Sequence, residues 1–180
     1  MKSPNKEEIM KRIKEAGDPE NYETSWEKGI PKSKKKTNIK RGGNARAQGG
    51  RFELKVRKDL EDKGRIIDKW SNNVDLEQNK LNPAKRKYNP FAKALTIGTG
   101  FPDFISIKHI SKNSYSVIGV EVKMNGMLSK IEKQKCAWYL QNKIFSQIWI
   151  AKKGEKRGQI VYEDFKEKYK DKYNNLYGKY

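Results

Sequence analysis

Between residues 49 and 162 the apolar positions recur with two different periods, and the alternation of those periods lays out a domain. In "GGRFELKVRKDLEDKG" (49–64), Phe52, Val56 and Leu60 fall every four residues, the spacing of one helix face, and Gly64 supplies a stop just past the end. "RIIDKW" (65–70) predicts a strand. "FPDFISIK" (101–108) and "YSVIGVEVK" (115–123) predict two more, joined by the turn-like "HISKNS". "SKIEKQKCAWYLQNK" (129–143) carries a helical stripe of Ile131, Cys136 and Trp138, and "FSQIWIAK" (145–152) is again strand-like. "GQIVY" (158–162) reads as a further strand or as the lead into a last helix, where Tyr162, Phe165, Tyr169, Tyr173 and Leu176 share one face and dock on the core. Helix, strand, long connection, strand, strand, helix, strand, helix is the order of an α/β sandwich on a mixed sheet, with an antiparallel hairpin at its centre.

Two stretches stand outside this pattern. Residues 1–48 form a basic N-terminal arm, within which 5–16 predict a short charged helix and Tyr22 and Trp26 anchor the region to the domain. "PKSKKKTNIKRGGNARAQGG" (31–50) has almost no apolar side chains to offset the entropy of ordering, so 30–48 is expected to be flexible. The compact domain, 49–180, is interrupted at 71–100 by "SNNVDLEQNKLNPAKRKYNPFAKALTIGTG", a connection too long for a simple turn and therefore expected to be functional or partly ordered.

Charge narrows the partners. The 180 residues carry a formal net charge of +19 with a pI near 9.8, a surface that attracts phosphates before any specific contact forms. Arg41, Arg46 and Arg51, in and beside the arm, are candidate nucleic-acid contacts. So are Lys85, Arg86 and Lys87 in "PAKRKY" (83–88), where Tyr88 adds a face for base stacking. The single cysteine, Cys136, excludes a disulfide framework and Cys-rich zinc sites, and the single histidine, His109, gives poor support to a zinc deaminase or a His-dependent triad. No apolar run approaches the ~20 residues of a membrane span, and "MKSPNKEEIMKRIKEAG" is too acidic and too broken for a signal peptide. The expectation is a cytoplasmic, nucleic-acid-facing protein.

Against that background three charged groups, Asp103, Glu121 and Lys123, sit in the most strand-like part of the chain, where unpaired charge is costly. Side chains alternate across a strand, so Glu121 and Lys123 share a face with Val117 and Gly119. With a hairpin turn near Asn113, Asp103 lies almost opposite Lys123 and diagonal to Glu121, and Gly119 leaves room for a ligand to approach. Two carboxylates that repel one another favour a counter-ion; Mg²⁺ takes oxygen ligands and keeps several waters, which suits so sparse a site. Lys123 could then orient or deprotonate an attacking water, or stabilise charge developing on a phosphate. Taken singly, each residue is an ordinary strand-end charge or turn residue.

"GFPDF…GVEVK" resembles the signature of the PD-(D/E)XK nuclease superfamily, in which the Asp and Glu bind metal and the Lys assists catalysis. "GGRFELKVRKDLEDKGRIIDKW" is similar to the opening helix and strand of archaeal Holliday-junction resolvases, which implies that Glu53 completes the metal site. "MLSKIEKQKCAWYL" is similar to the Gln-containing helix that follows this strand in the VRR-NUC and resolvase branches, and makes Gln134 the matching polar residue, on the inward face of its helix. The resemblance spans about 49–152 and implies a restriction-endonuclease-like αβββαβ core, Mg²⁺ (or Mn²⁺) as cofactor, and a structure-specific DNA endonuclease, junction cleavage by a homodimer being the leading version. Ser71 matches the substrate-contacting serine after the first strand. The thirty-residue connection departs from the short one of the resolvases and puts junction specificity in question. A sequence-specific restriction-type nuclease is the close rival. A non-catalytic basic nucleic-acid-binding module is the alternative of a different class, and a small-molecule hydrolase a distant third.

Overall fold

A computed structural model describes residues 5–89, 94–97 and 100–170. The chain divides into two compact units, residues 1–50 and 51–180.

In the first unit a helix, Lys6–Ala16 (α1), starts at Asn5, whose Oδ1 accepts the Glu8 N–H at 2.8 Å. Two strands follow, Tyr22–Glu27 (β1) and Ile30–Lys35 (β2), paired antiparallel around Lys28 and Gly29. Both turn residues have positive φ, 52° and 76°, the pairing of a tight two-residue hairpin. A long helix, Lys36–Asp62 (α2), begins in this unit and ends in the next. Residues 30–48 thus form strand β2 and the first turns of α2, where the composition predicted no regular structure. Their backbone groups are satisfied by the β1 ladder and by the helix itself, so the segment takes a fold without burying side chains: α2 has no buried residue before Phe52.

The second unit holds Ile66–Lys69 (β3), Asn73–Asp75 (β4), Lys80–Asn82 (β5), Arg86–Asn89 (β6), Ala94–Ile97 (β7), Phe104–Ser111 (β8), Ser114–Val122 (β9), Lys130–Gln141 (α3), Gln147–Lys153 (β10), Ile160–Asp164 (β11) and Phe165–Lys168 (α4). Its centre is a mixed sheet of five strands among the described residues, ordered β11-β10-β9-β8-β3; β9 and β10 run parallel and every other pair antiparallel. On one face Phe52, Val56 and Leu60 of α2 pack with Ile67, Phe104, Ile118 and Val120, as the four-residue spacing predicted. Gly64, at φ 73°, ends the turn after the helix. The other face carries α3, whose Cys136, Ala137, Tyr139 and Leu140 pack with Phe145, Ile148, Ile150 and Phe165. The architecture is therefore α/β with a mixed sheet flanked by helices.

Three expectations are sharpened or changed here. The described residues of 71–100 include two small antiparallel hairpins, β4–β5 and β6–β7, so the connection is ordered there. Val74 is buried in the α3-side core, and the first hairpin is tied to α3 by Lys135 Nζ donating to Asn73 Oδ1 at 2.8 Å and Trp138 Nε1 donating to Asn79 Oδ1 at 2.5 Å. Of the aromatic stripe expected on a closing helix, Tyr162 lies in strand β11, Phe165 is buried in one helical turn and Tyr169 packs against the same core; Tyr173 and Leu176 lie outside the described residues. Edge pairing with β10 satisfies the backbone of 160–164, which takes the strand reading of "GQIVY" over the helical one. Finally, α3 faces inward through Cys136 and Leu140, so Ile131, placed on the buried stripe by its spacing to Trp138, is 58% exposed.

Candidate active site

The β8–β9 register decides which charges meet. Phe104 stands opposite Val120 and Ile105 opposite Gly119, so continuing the ladder one step puts Asp103 opposite Glu121, not Lys123. The two-residue difference from the predicted pairing arises partly at an irregularity between His109 and Ser111. A slip of two keeps every side chain on its face, and the three charged groups still converge.

Asp103 sits at the mouth of β8, held by backbone bonds on both sides. The Trp70 N–H donates to its carbonyl at 3.2 Å, and two residues earlier the Phe101 N–H donates to the Asn72 carbonyl at 3.0 Å. The Val122 N–H donates to Asp103 Oδ2 at 2.8 Å, while the Asp103 N–H donates to Glu121 Oε2 at 3.2 Å. The Glu121 carboxylate is thus held by the backbone of Asp103, and the Asp103 carboxylate by that of Val122. Gly119 does not open a path for a ligand: a Cβ there would lie 2.8 Å from Pro102 Cγ and 3.1 Å from Phe145 Cδ2, so its missing side chain lets the Pro102 ring and Phe145 pack beneath the site.

Glu121 is 3% exposed. Burial, then the neighbouring charge of Asp103, pushes its carboxyl up to about 8. Burial and the nearby Glu53 carboxylate likewise raise Asp103, against the opposing Val122 N–H, Lys123 and Lys69. Near neutral pH this pair holds a proton. Lys123, just past the end of β9, lies 3.1 Å from Glu121 Oε1 and 2.6 Å from Glu132 Oε1. Burial by itself would lower its ammonium, but the bond to Glu132 and the charge of Glu121 outweigh it and hold the group protonated well above the usual lysine range.

Glu132 takes the place predicted for Gln134. With ~100° per residue, the buried set of α3 puts Gln134 about 140° round the helix from its centre, and Gln134 is exposed. Glu132 lies on the inward side and does two jobs. Its Oε2 accepts the Ser129 N–H at 2.7 Å, closing a capping box, while its Oε1 binds Lys123. The signal was legible as Ser-x-x-Glu at 129–132 opening a helical stripe. Glu132→Ala is expected to cost about 1–2 kcal/mol, from the lost cap and a half-buried ion pair. Burial opposes its ionisation, but Lys123 and Ser129 hold its carboxyl below 4.5. A lowered folded-state value gives stability that is present above 4.5 and lost as pH falls through the folded value. The penalty in urea midpoint should therefore shrink in acid, and a pH-independent penalty would remove the ion pair from the account.

Glu53, half-buried on α2, reaches Asp103 through its field. Among the described residues no three His, Cys, Asp or Glu side chains are grouped closely enough to hold a metal ion, so Glu53 is not a third direct ligand in this arrangement. Asp103 and Glu121 are the residues that could hold a cation. Ser71 is half-buried, and its backbone lies against Gly100 three residues before Asp103. Lys85 and Arg86 are exposed at the start of the second hairpin, and the side chain of Lys87 lies outside the described residues. Arg41, Arg46 and Arg51 are exposed on α2.

Comparison with known proteins finds no matching family model, curated protein or solved structure. Among the described residues no helix is long and apolar enough to cross a membrane.

Proposed function

We propose that this chain is a divalent-cation-dependent endonuclease acting on DNA, with a restriction-endonuclease-like core of the PD-(D/E)XK type. The observation that carries the reading is a buried carboxylate, Glu121, opposed to Asp103 at a sheet end and ion-paired with Lys123, in a chain of net charge +19. Two neighbouring carboxyl groups whose protonated forms burial favours fit a hard cation, because a divalent charge can take the place of the proton. Asp103 and Glu121 would hold Mg²⁺ or Mn²⁺, with Glu53 acting through water. Bound there, such an ion would supply Lewis-acid chemistry, polarising a phosphoryl oxygen and lowering the pKa of a water.

The chain's own residues divide the remaining work. Lys123 is held protonated between Glu121 and Glu132, so its part is to stabilise negative charge on the phosphate and orient water, rather than to act as a base. Glu132 keeps that ammonium in place. The basic arm and hairpins return phosphates to a site whose carboxylates alone would repel them. Junction cleavage by a homodimer is the leading form of the substrate assignment.

End-labelled four-way junction, flap, duplex and single strand, each with Mg²⁺, Mn²⁺ or EDTA, test the reading. Cation-dependent cleavage lost by more than about a thousandfold in Asp103→Ala, with DNA binding retained, is the expected result. Binding of every substrate without cleavage of any would make the chain a nucleic-acid-binding module.

A further inference from the structure

The β10–β11 connection, residues 154–159, carries no motif that marks it in the sequence. Because β9 and β10 are parallel, with Ala151 opposite Val122, both strands deliver their C-terminal ends to the same edge of the sheet. The Lys123 N–H donates to the Ala151 carbonyl at 2.9 Å, and the Lys153 N–H donates to the Met124 carbonyl at 3.3 Å. The loop thus begins beside Lys123, one strand over.

Between this loop and α2 lies a cavity of about 370 Å³. Four cations line it, Lys55 from α2 and Lys153, Lys156 and Arg157 from the loop, against one carboxylate, Glu155. Among the described residues none of the four makes an ion pair, whereas neighbouring Lys123, Lys152 and Lys168 are each bound to a carboxylate. Phe52 forms part of the wall, and the next residue, Glu53, is the one whose field reaches Asp103. The loop has a fixed shape. Gln159 Oε1 accepts the Lys156 N–H at 3.2 Å, the Gly154 N–H donates to the Gln159 carbonyl at 2.9 Å, and Gly158 turns the chain at φ 85°. A Cβ at Gly154 would lie 2.5 Å from Gln159 Oε1, so glycine there lets Gln159 fold across the loop.

Unpaired cations on a shaped loop, around a concave space at the sheet end that bears the carboxylates, form a receptor for an anion. We propose that this cavity binds backbone phosphates of the nucleic-acid strand that continues from the carboxylate site. The inference rests on the nuclease reading for the direction of that strand, but binding at the cavity is separable from cleavage.

The test compares two triple variants of the full chain with equal charge change. One is Lys153→Gln, Lys156→Gln, Arg157→Gln in the loop. The other is Lys108→Gln, Lys112→Gln, Lys143→Gln, exposed positions toward the opposite end of the sheet. Affinity for a fluorescent DNA duplex is measured by anisotropy in EDTA across a salt series, with free nucleoside monophosphate as competitor. The loop variant should bind at least tenfold more weakly, and its log–log salt slope should fall by roughly 2–3, about 0.9 for each phosphate no longer neutralised, while the other variant changes little. Equal losses in both variants would reduce the effect to net charge and overturn the cavity. Displacement of the duplex by the monophosphate at low concentration would make the cavity a mononucleotide site and also overturn the proposal. A wild-type chain that binds no DNA overturns it as well. A chain that binds through the loop but cuts nothing leaves the cavity standing and sinks only the nuclease reading.

Discussion

Replacing Glu121 with Gln will raise, not lower, the thermal stability of the cation-free protein near pH 8 and, on the proposed nuclease reading, leave no cleavage of DNA. A buried carboxyl whose folded value is about 8, against 4.5 when exposed, favours folding only while it carries its proton. That stability is fully present below about 4.5 and is lost as pH rises through about 8. The loss by pH 8 is on the order of 4 kcal/mol. Lys123 does not disturb this window: its folded value is raised above the ordinary 10.5, so its contribution persists until well into alkali. Gln keeps the acceptor for the Asp103 N–H but has no charge to desolvate, and Lys123 retains Glu132. Melting curves in chelator from acid to about pH 8 should fall for the parent and stay nearly level for Glu121→Gln. Adding Mg²⁺ or Mn²⁺ should restore the parent alone, since a ligand stabilises the state that binds it. A variant that melts lower than the parent at pH 8 without cation would mean that the carboxylate pair is not under strain, and the case for a cation site would go with it.

The second large effect is expected from Gly100→Ala. A Cβ at Gly100 would lie 2.3 Å from the Trp70 carbonyl oxygen, 2.5 Å from that of Asn72 and 2.5 Å from the Ser71 carbonyl carbon, all backbone atoms that cannot swing aside. Either 70–72 or 100–103 must move. The cost should be about 2–4 kcal/mol, toward the upper range for overpacking because backbone has to yield. The same shift breaks the pairing that holds Asp103, through the Trp70 N–H and the Phe101 N–H, so cleavage should fall further than stability explains. Denaturant midpoints give the first quantity, and cleavage rates measured well below the melting temperature give the second. An unchanged midpoint would show that the two segments do not lie so close together.

The sequence's two periods located the helices and the central-sheet strands of the second unit to within a few residues, but not the four short strands within 71–100, and α2 starts well before its apolar stripe. Phe52, Val56 and Leu60 could be placed on one buried face because a helix facing a sheet needs that spacing whatever lies opposite it. The same logic holds only in part for α3, where Cys136 is buried and Trp138 packs at the edge of the core, but Ile131, which shares a face with Trp138, stays exposed because the helix turns Cys136 and Leu140 inward. Periodicity says that two residues point the same way, not which way is inward, and so it puts Gln134, the residue the family resemblance singles out, on the inward face where Glu132 makes the contact. Residues 30–48 escape the pattern for a related reason: backbone hydrogen bonds, in the β2 ladder and in α2, order them, and such bonds leave no mark in side-chain chemistry.

By itself the sequence determined the α/β class, the strong positive charge, and the two strands that carry Asp103, Glu121 and Lys123, because alternation along each strand is a local property of the chain. The tertiary structure alone decided that Asp103 faces Glu121, that Glu132 holds Lys123, and that a loop without any motif gathers unpaired cations at the same sheet end. Register, helix rotation and parallel pairing fix those neighbours, and each is set by which surfaces pack together over long separations in the chain, information that no single segment contains.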